Sequence, residues 1–469
     1  MSVADIQLVR REPWGRGSAA LLIAAAAAAA AFGWTVAGHP LEAILAAALV
    51  PIALAAPLAS FVLLVGMTVL LPFDALNALS FGGGAGVPGL LPVDVLLAVG
   101  LARFAWLALR GRVAVPATVL AATALLAVSV VQAAHGVAAG AAASDAGTEA
   151  RCVVFGLGAF ILAQPLLAGP RSRKRLYLSL LALGLALGLW GIAQVVLNVP
   201  YSSAGDIGVR PGIDAVASFG GGQLQGGLYA FPIAVVMAFA GLVSRPRRME
   251  VRWLLAAVFV LNAVCVLLTY ERSIWAAALI GCAAVVIRTG ARAWRPAVQW
   301  LALGGAAVLA LAVLSPGTAA VSVGRVTSVF SVQNDSSAQA RTVESEAVLR
   351  AIEKSPVIGA GFGATLTWGG GNNAQFGVRT TNFTHEGYLW LAWKESVPVA
   401  LLLAACLWLA ALRRRRPHGD AALDAFRVGC HAALLASLVV CVVFPEFNAL
   451  GVTSLLGLLT AGCVTRVVA

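Results

Sequence analysis

The chain reads as an all-α, polytopic integral membrane bundle of about 12–14 transmembrane helices with one large outward-facing helical loop. Three observations predict this. Of its 469 residues, 60% are hydrophobic and 11% are charged, with a mean hydropathy of +0.91, values outside the range of a soluble domain of this size. The apolar residues fall into runs of about 20, the length that crosses a bilayer. Most of the 32 Lys and Arg residues gather in short clusters between alternate runs: Arg10, Arg11 and Arg16; Arg103, Arg110 and Arg112; Arg171, Arg173, Lys174 and Arg175; Arg245, Arg247, Arg248 and Arg252; Arg288, Arg292 and Arg295; Arg413 to Arg416. With the N-terminus inside, every cluster falls on the cytoplasmic face. The net charge of +12 and the pI of about 10.1 are then accounted for by anionic lipid at that face, and nucleic acid is not implied.

Taken in order, the first apolar run, about 18 to 37, follows three arginines and ends in small residues like a secretory signal, but the spans that follow keep a consistent parity only if it stays as the first of them. The next runs are about 41 to 57, 60 to 77, 91 to 110, 114 to 134, 151 to 169, 176 to 197, 224 to 244, 252 to 270, 273 to 288 and 297 to 314. Pro51 and Pro57 make 41 to 77 a candidate for a broken or re-entrant hairpin. Three runs close the chain, about 386 to 411, 425 to 443 and 449 to 467. Residues 1–469 thus form a single transmembrane domain with both termini inside.

Between the spans the chain is terse except for residues 315–384, on the outward side. A loop of this length is functional or disordered as a rule. Here it carries helix signals over about 337–355: Ser336 with Gln339 three residues on, then Val343, Val348, Leu349 and Ile352 at helical spacing, and Pro356 as a stop.

Once the cytoplasmic clusters, Arg427 and Arg466 are set aside, Arg151, Arg210, Arg272, Arg325, Arg341, Arg350, Lys354, Arg379 and Lys394 remain on the outward side or in the outer membrane rim. The positive-inside rule disfavours them there, and converging arginines are what a phosphate or diphosphate requires. Pairing with Glu271, Glu344, Glu346 or Glu353 is the plainer role open to any one of them. His385 lies where the loop re-enters the membrane, in Thr384-His385-Glu386-Gly387-Tyr388. A histidine at a helix N-terminus is favoured in its neutral, basic form. Lys394 and Glu395, further along the same run, are ionisable groups in the membrane, which mark functional sites or ion pairs.

All seven cysteines lie in or beside spans with no C-x-x-C spacing, so neither a disulfide framework nor a thiolate metal site is implied. Gly359, Gly361 and Gly363 mimic a dinucleotide loop, but no βαβ unit surrounds them; a tight turn that lets backbone approach a helix or a glycan fits better. Asn382-Phe383-Thr384 has the form of a glycosylation acceptor, a chance match beside the membrane.

On these residues the chain resembles the O-antigen ligase and O-antigen polymerase superfamily. The likeness is carried by Ser337-Ala338-Gln339-Ala340-Arg341, by Ala351 through Ser355-Pro356-Val357-Ile358-Gly359-Ala360-Gly361-Phe362-Gly363, and by His385 through Tyr388 to Glu395. Thr269-Tyr270-Glu271-Arg272-Ser273 is similar to the family's arginine turn, and Val209-Arg210-Pro211-Gly212 through Phe219 to its arginine-glycine-phenylalanine loop. The likeness spans about 200 to 410. It departs at Glu386, where the family has asparagine, at Ser396-Val397 after the glutamate, and at Gly220-Gly221-Gly222.

The resemblance implies a glycosyltransferase of GT-C-like fold in the bacterial inner membrane, with its active site on the periplasmic or external face. It would move a glycan from a polyprenyl diphosphate such as undecaprenyl diphosphate to an acceptor hydroxyl on lipid A core or on another glycan, in lipopolysaccharide or polysaccharide biosynthesis. His385 would be the catalytic base, with Arg210, Arg272 and Arg341 binding the diphosphate and Glu386, Glu395 and Lys394 in support. No cofactor or metal is called for, and membrane lipids surround the bundle. Ligase and polymerase both remain open, with a slight preference for ligase. A transporter or flippase of lipid-linked glycan is the reading from another class, favoured if the polar groups cluster at the midplane rather than beside the outward face.

Overall fold

A computed structural model describes residues 40–71, 89–197, 209–211, 222–224, 228–246, 248–314, 336–369, 377–413 and 419–466, together with Leu76 and Ser80. The first predicted span lies outside the described residues. The rest is an all-α membrane bundle. Its helices are α1 Pro40–Ala55, α2 Pro57–Leu70, α3 Pro92–Leu109, α4 Ala117–Ala138, α5 Ala143–Ala168, α6 Pro170–Val196, α7 Ala230–Val243, α8 Met249–Leu268, α9 Arg272–Thr289, α10 Trp294–Leu314, α11 Ser336–Lys354, α12 Gly387–Lys394, α13 Val397–Leu412, α14 Ala421–Val440 and α15 Leu450–Val464. Two short antiparallel ribbons decorate it: β1 Val209–Pro211 with β2 Gly222–Leu224, and β3 Leu366–Trp368 with β4 Arg379–Thr381.

Seven of these helices are long and apolar enough to cross a membrane, namely α3, α4, α5, α6, α8, α9 and α14, and α2, α7, α13 and α15 are shorter apolar helices. Their side chains are arranged as lipid requires. Phe231, Phe239, Trp390 and Trp393 are buried, whereas Leu109, Ile287, Val313 and Leu409 project from the bundle more than two-thirds exposed. An apolar exterior of this extent needs hydrocarbon as its solvent. Pro57 starts α2 with only Ala56 between it and the end of α1 at Ala55, so the proline-marked stretch is two helices broken at Ala56.

Helices approach closely where small residues face one another. A β-carbon on Gly457 of α15 would fall 2.0 Å from the carbonyl oxygen of Gly156 on α5. Only glycine permits that backbone contact, and close backbone packing is what associates helices in lipid.

The basic clusters meet at one end of the bundle. Arg103 donates to the Leu54 carbonyl at 3.1 Å, Arg173 to Leu167 and Thr465, Lys174 to the Asp420 carboxylate at 2.5 Å, and Arg288 to the carbonyl oxygens of Ala411 and Arg413. The arginine bonds close carbonyls at or just past helix C-termini that would otherwise be orphaned, where positive groups are favoured. The hydrogen bond from Lys174 holds the Asp420 carboxyl below the ordinary carboxylate range. The opposite end gathers the β-ribbons, α11 and the turns before α5, α9, α12 and α15.

Candidate functional site

The site is built on α11, which lies across that opposite end. Its buried face carries Glu344, Ala347, Val348 and Ile352, while Glu346, Leu349, Arg350, Glu353 and Lys354 are exposed. This is the i, i+3, i+4, i+8 stripe of an amphipathic helix. Leu349, which belongs to the apolar pattern in the sequence, points outward and is about half exposed. Ser355 donates back to the Ile352 carbonyl and Pro356 ends the helix.

The same face presents three polar groups one turn apart, Arg341, Glu344 and Ser345. Glu344 is 2% exposed, and its Oε2 lies 2.7 Å from His385 Nδ1 and accepts the His385 backbone N–H at 3.3 Å. The His385 side chain is 41% exposed. An ionised carboxylate only accepts, so Nδ1 carries the proton and Nε2 is left as the basic nitrogen. Phe383 packs edge-on against the imidazole with ring centres 5.1 Å apart. Ser345 donates to Glu386 at 2.7 Å, so the acid beside His385 is tied to α11 and the acid that holds the ring is Glu344. Arg341 donates to the Val443 carbonyl just beyond α14 at 3.4 Å.

Arg272 is the first residue of α9, after a turn in which Tyr270 has φ of 51°. Helix α9 packs along α14, and Arg288 at its far end meets the basic end of the bundle. Arg272 therefore lies at the same end as Val443, where Arg341 reaches. Arg210 lies in β1 opposite Gln223 of β2, and β2 packs against α6 and α8, the helix that leads into the Arg272 turn. The remainder of its predicted loop, through Phe219, lies outside the described residues.

Lys394 and Glu395 sit elsewhere. At 1.5 Å of rise per residue, α12 places them more than about 10 Å along the helix from His385. Lys394 is fully buried, pairs with Glu149 of α5 at 2.9 Å and donates to the Ala364 carbonyl at 2.6 Å; Glu149 also accepts the Gly363 N–H at 2.7 Å. Glu395 accepts from Ser129 of α4 at 2.5 Å.

Here the apparently continuous span of 386 to 411 breaks. Ser396 has φ of 134° and Pro398 follows in the first turn of α13. The segment after α11 satisfies the freed backbone: Ala360 and Gly361 donate to the carbonyls of Trp393 and Lys394, and the Pro356 carbonyl accepts the Val397 N–H. Gly359, Gly361 and Gly363 have φ of 82°, 78° and 79°. A β-carbon on Gly361 would lie 2.5 Å from Gly136 of α4. The glycine run thus wedges backbone between α4, α5 and the helix break.

Two residues of this arrangement escaped sequence reasoning. Glu344 entered only as one of several pairing acids, although its place one turn after Arg341 on the buried face was a signal. Glu149 had none, because its partner Lys394 lies 245 residues away.

Comparison with known families agrees with the geometry. Residues 257–394, from within α8 to the end of α12, match the family model described as O-antigen ligase. No curated protein and no solved structure matches the chain. The match covers the Arg272 turn, α11, the glycine wedge and His385. Over these residues the chain is similar to the O-antigen ligase family, on a bundle with seven helices long and apolar enough to cross a membrane.

Proposed function

We propose that this protein is a glycosyltransferase that moves a glycan from a polyprenyl-diphosphate carrier to an acceptor hydroxyl on the outer side of the bacterial inner membrane. The half-exposed His385 ring, held by a buried carboxylate at the surface end of the bundle, is the observation that carries this reading. The arginine-clustered end faces the cytoplasm by the positive-inside rule, which puts His385 on the periplasmic side.

In this reading His385 Nε2 takes the proton of the acceptor hydroxyl as its oxygen attacks the anomeric carbon. The bond from that carbon to the diphosphate oxygen breaks, and the electron pair leaves on the diphosphate. Glu344 keeps the ring in the basic tautomer and stabilises the imidazolium that forms, the role an orienting acid plays beside a histidine base. Arg272, Arg210 and Arg341, at the same end, receive the developing diphosphate charge, so the enzyme can work without a metal. Direct displacement inverts the anomeric centre.

Lipid A core as acceptor would make it a ligase, and a growing glycan would make it a polymerase; the family description favours ligase. The grouping of His385, Glu344, Ser345, Glu386 and Arg341 at the surface rather than at mid-depth supports transfer over transport.

Purified protein in nanodiscs, given a polyprenyl-diphosphate glycan and candidate acceptors, tests the reading. His385→Ala is expected to lower turnover by roughly 10²- to 10⁴-fold, and Arg272→Ala to lower it as well, with both variants folded. Undiminished transfer by His385→Ala would remove the proposed base. Product length separates ligase from polymerase.

A further inference from the structure

Beside His385 the structure has a cavity of about 650 Å³, walled by the ends of α2 and α5, the residues leading into α7, the segment before His385, and the α14–α15 turn. Its size is that of a small-ligand site, roughly 300–1,000 Å³. Asp145, Glu149, Tyr229, Asn382, Phe383 and Asn448 supply its chemistry. Phe383 joins cavity to base, since its ring forms part of the wall and also packs edge-on against His385 at 5.1 Å.

The charges in this cavity do not suit a diphosphate. Arg151 is the arginine in the wall among the described residues, and it is already bound to Asp94 at 3.0 Å and to the Gly89 carbonyl at 2.8 Å. Glu149 is neutralised by Lys394. Asp145 is exposed and makes no ion pair among the described residues, which leaves the wall with a surplus negative charge. Arg341 lies beyond it, at Val443, the neighbour of Phe444, whose ring stacks edge-on against Tyr229 at 5.0 Å. Amide donors and acceptors beside two aromatic faces, with no uncommitted cation in the wall among the described residues, match the hydroxyls and C–H faces of a neutral sugar.

We propose that this cavity is the acceptor subsite and that it takes a neutral, unphosphorylated sugar, directing its hydroxyl past Phe383 to His385. This rests on the transferase reading above and divides the two substrates: the glycosyl diphosphate lies on the arginine side of His385 and the acceptor on the acidic side. Asn382 and Asn448 hydrogen-bond the acceptor's hydroxyls, and Asp145 excludes acceptors that carry phosphate.

The test uses the full chain in nanodiscs with two probes, a neutral hexose trisaccharide and the same trisaccharide bearing one phosphate, read by titration calorimetry and by transfer kinetics. The neutral probe is expected to bind and the phosphorylated one to bind at least about fivefold more weakly. Asn448→Ala and Asn382→Ala should each raise the acceptor KM about fivefold with the donor KM unchanged, and the exposed Asp145→Lys should reverse the preference between probes. Transfer with unchanged acceptor KM in both asparagine variants, or equal binding of the two probes by the wild type, would overturn the subsite and leave the transferase reading intact. Binding of the neutral probe that depends on Asn448, without transfer to any acceptor, would overturn the transferase reading and leave the sugar site.

Discussion

At the scale of the residue, two carboxylates do different work because of what surrounds them. Glu344 meets a half-exposed imidazole at 2.7 Å, and the pair is open to solvent; Glu149 meets a fully buried ammonium and the Gly363 N–H, the ammonium also donates to the Ala364 carbonyl, and the pair is closed. Glu344→Gln keeps the shape but lets the amide stabilise the wrong tautomer of His385. Turnover is expected to fall by on the order of 10²-fold or more with substrate KM little changed, measured in the transfer assay. Lys394→Met leaves Glu149 buried without its cation. It is expected to cost about 3–5 kcal/mol, and a Lys394→Met, Glu149→Gln double variant should recover most of that loss. Unfolding of the reconstituted variants in denaturant measures both; an additive double variant would mean that the two charges are not coupled.

At the scale of the element, α11 and the glycine wedge act together. One turn of α11 aims Arg341, Glu344 and Ser345 at three separate pieces of chain, Val443, His385 and Glu386. The wedge then fixes α12, whose N-terminus carries His385, by binding the carbonyls at its C-terminus. Gly361→Ala sets a methyl group 2.5 Å from Gly136 and forces an alanine to φ of 78°. A loss of about 2 kcal/mol or more is expected from the left-handed backbone and the overpacking. Gly305→Ala on α10, where nothing lies within 4 Å, should be neutral or stabilising by up to about 1 kcal/mol. The thermal midpoints of the two variants, compared side by side, check this, and a Gly361 variant as stable as the Gly305 variant would mean that the wedge is not tightly packed.

At the scale of the whole molecule, charge separates the two ends of the bundle: arginines cap helix carbonyls at one, and the site occupies the other. Cysteine labelling tests which end is outside. Val378→Cys, beside β4, should react with a membrane-impermeant thiol reagent in intact cells, and Ala291→Cys, between α9 and α10, only after permeabilisation. Reaction of Ala291→Cys in intact cells would invert the topology.

The membrane class, the helix runs and the stop at Pro356 were legible in the sequence, because hydropathy, charge asymmetry and proline act locally and leave their mark wherever they fall. His385 and the arginines stood out for the same reason, as polar groups at positions where the surrounding chain makes them costly. The partners of these groups did not. Glu344 lies 41 residues from His385 and Glu149 lies 245 from Lys394, and no local signal connects such pairs. Nor did the break at Ser396 show in the hydropathy, which runs on through it; the break persists because Ala360, Gly361 and Pro356 complete its hydrogen bonds from another segment. The amino-acid sequence by itself determined which stretches enter the membrane and which polar residues lie at their ends, through transfer free energies that each segment carries alone. Only the tertiary structure decided which acid meets the histidine, which ion pair closes the core and where the cavity beside them lies, because those depend on contacts between segments far apart in the chain.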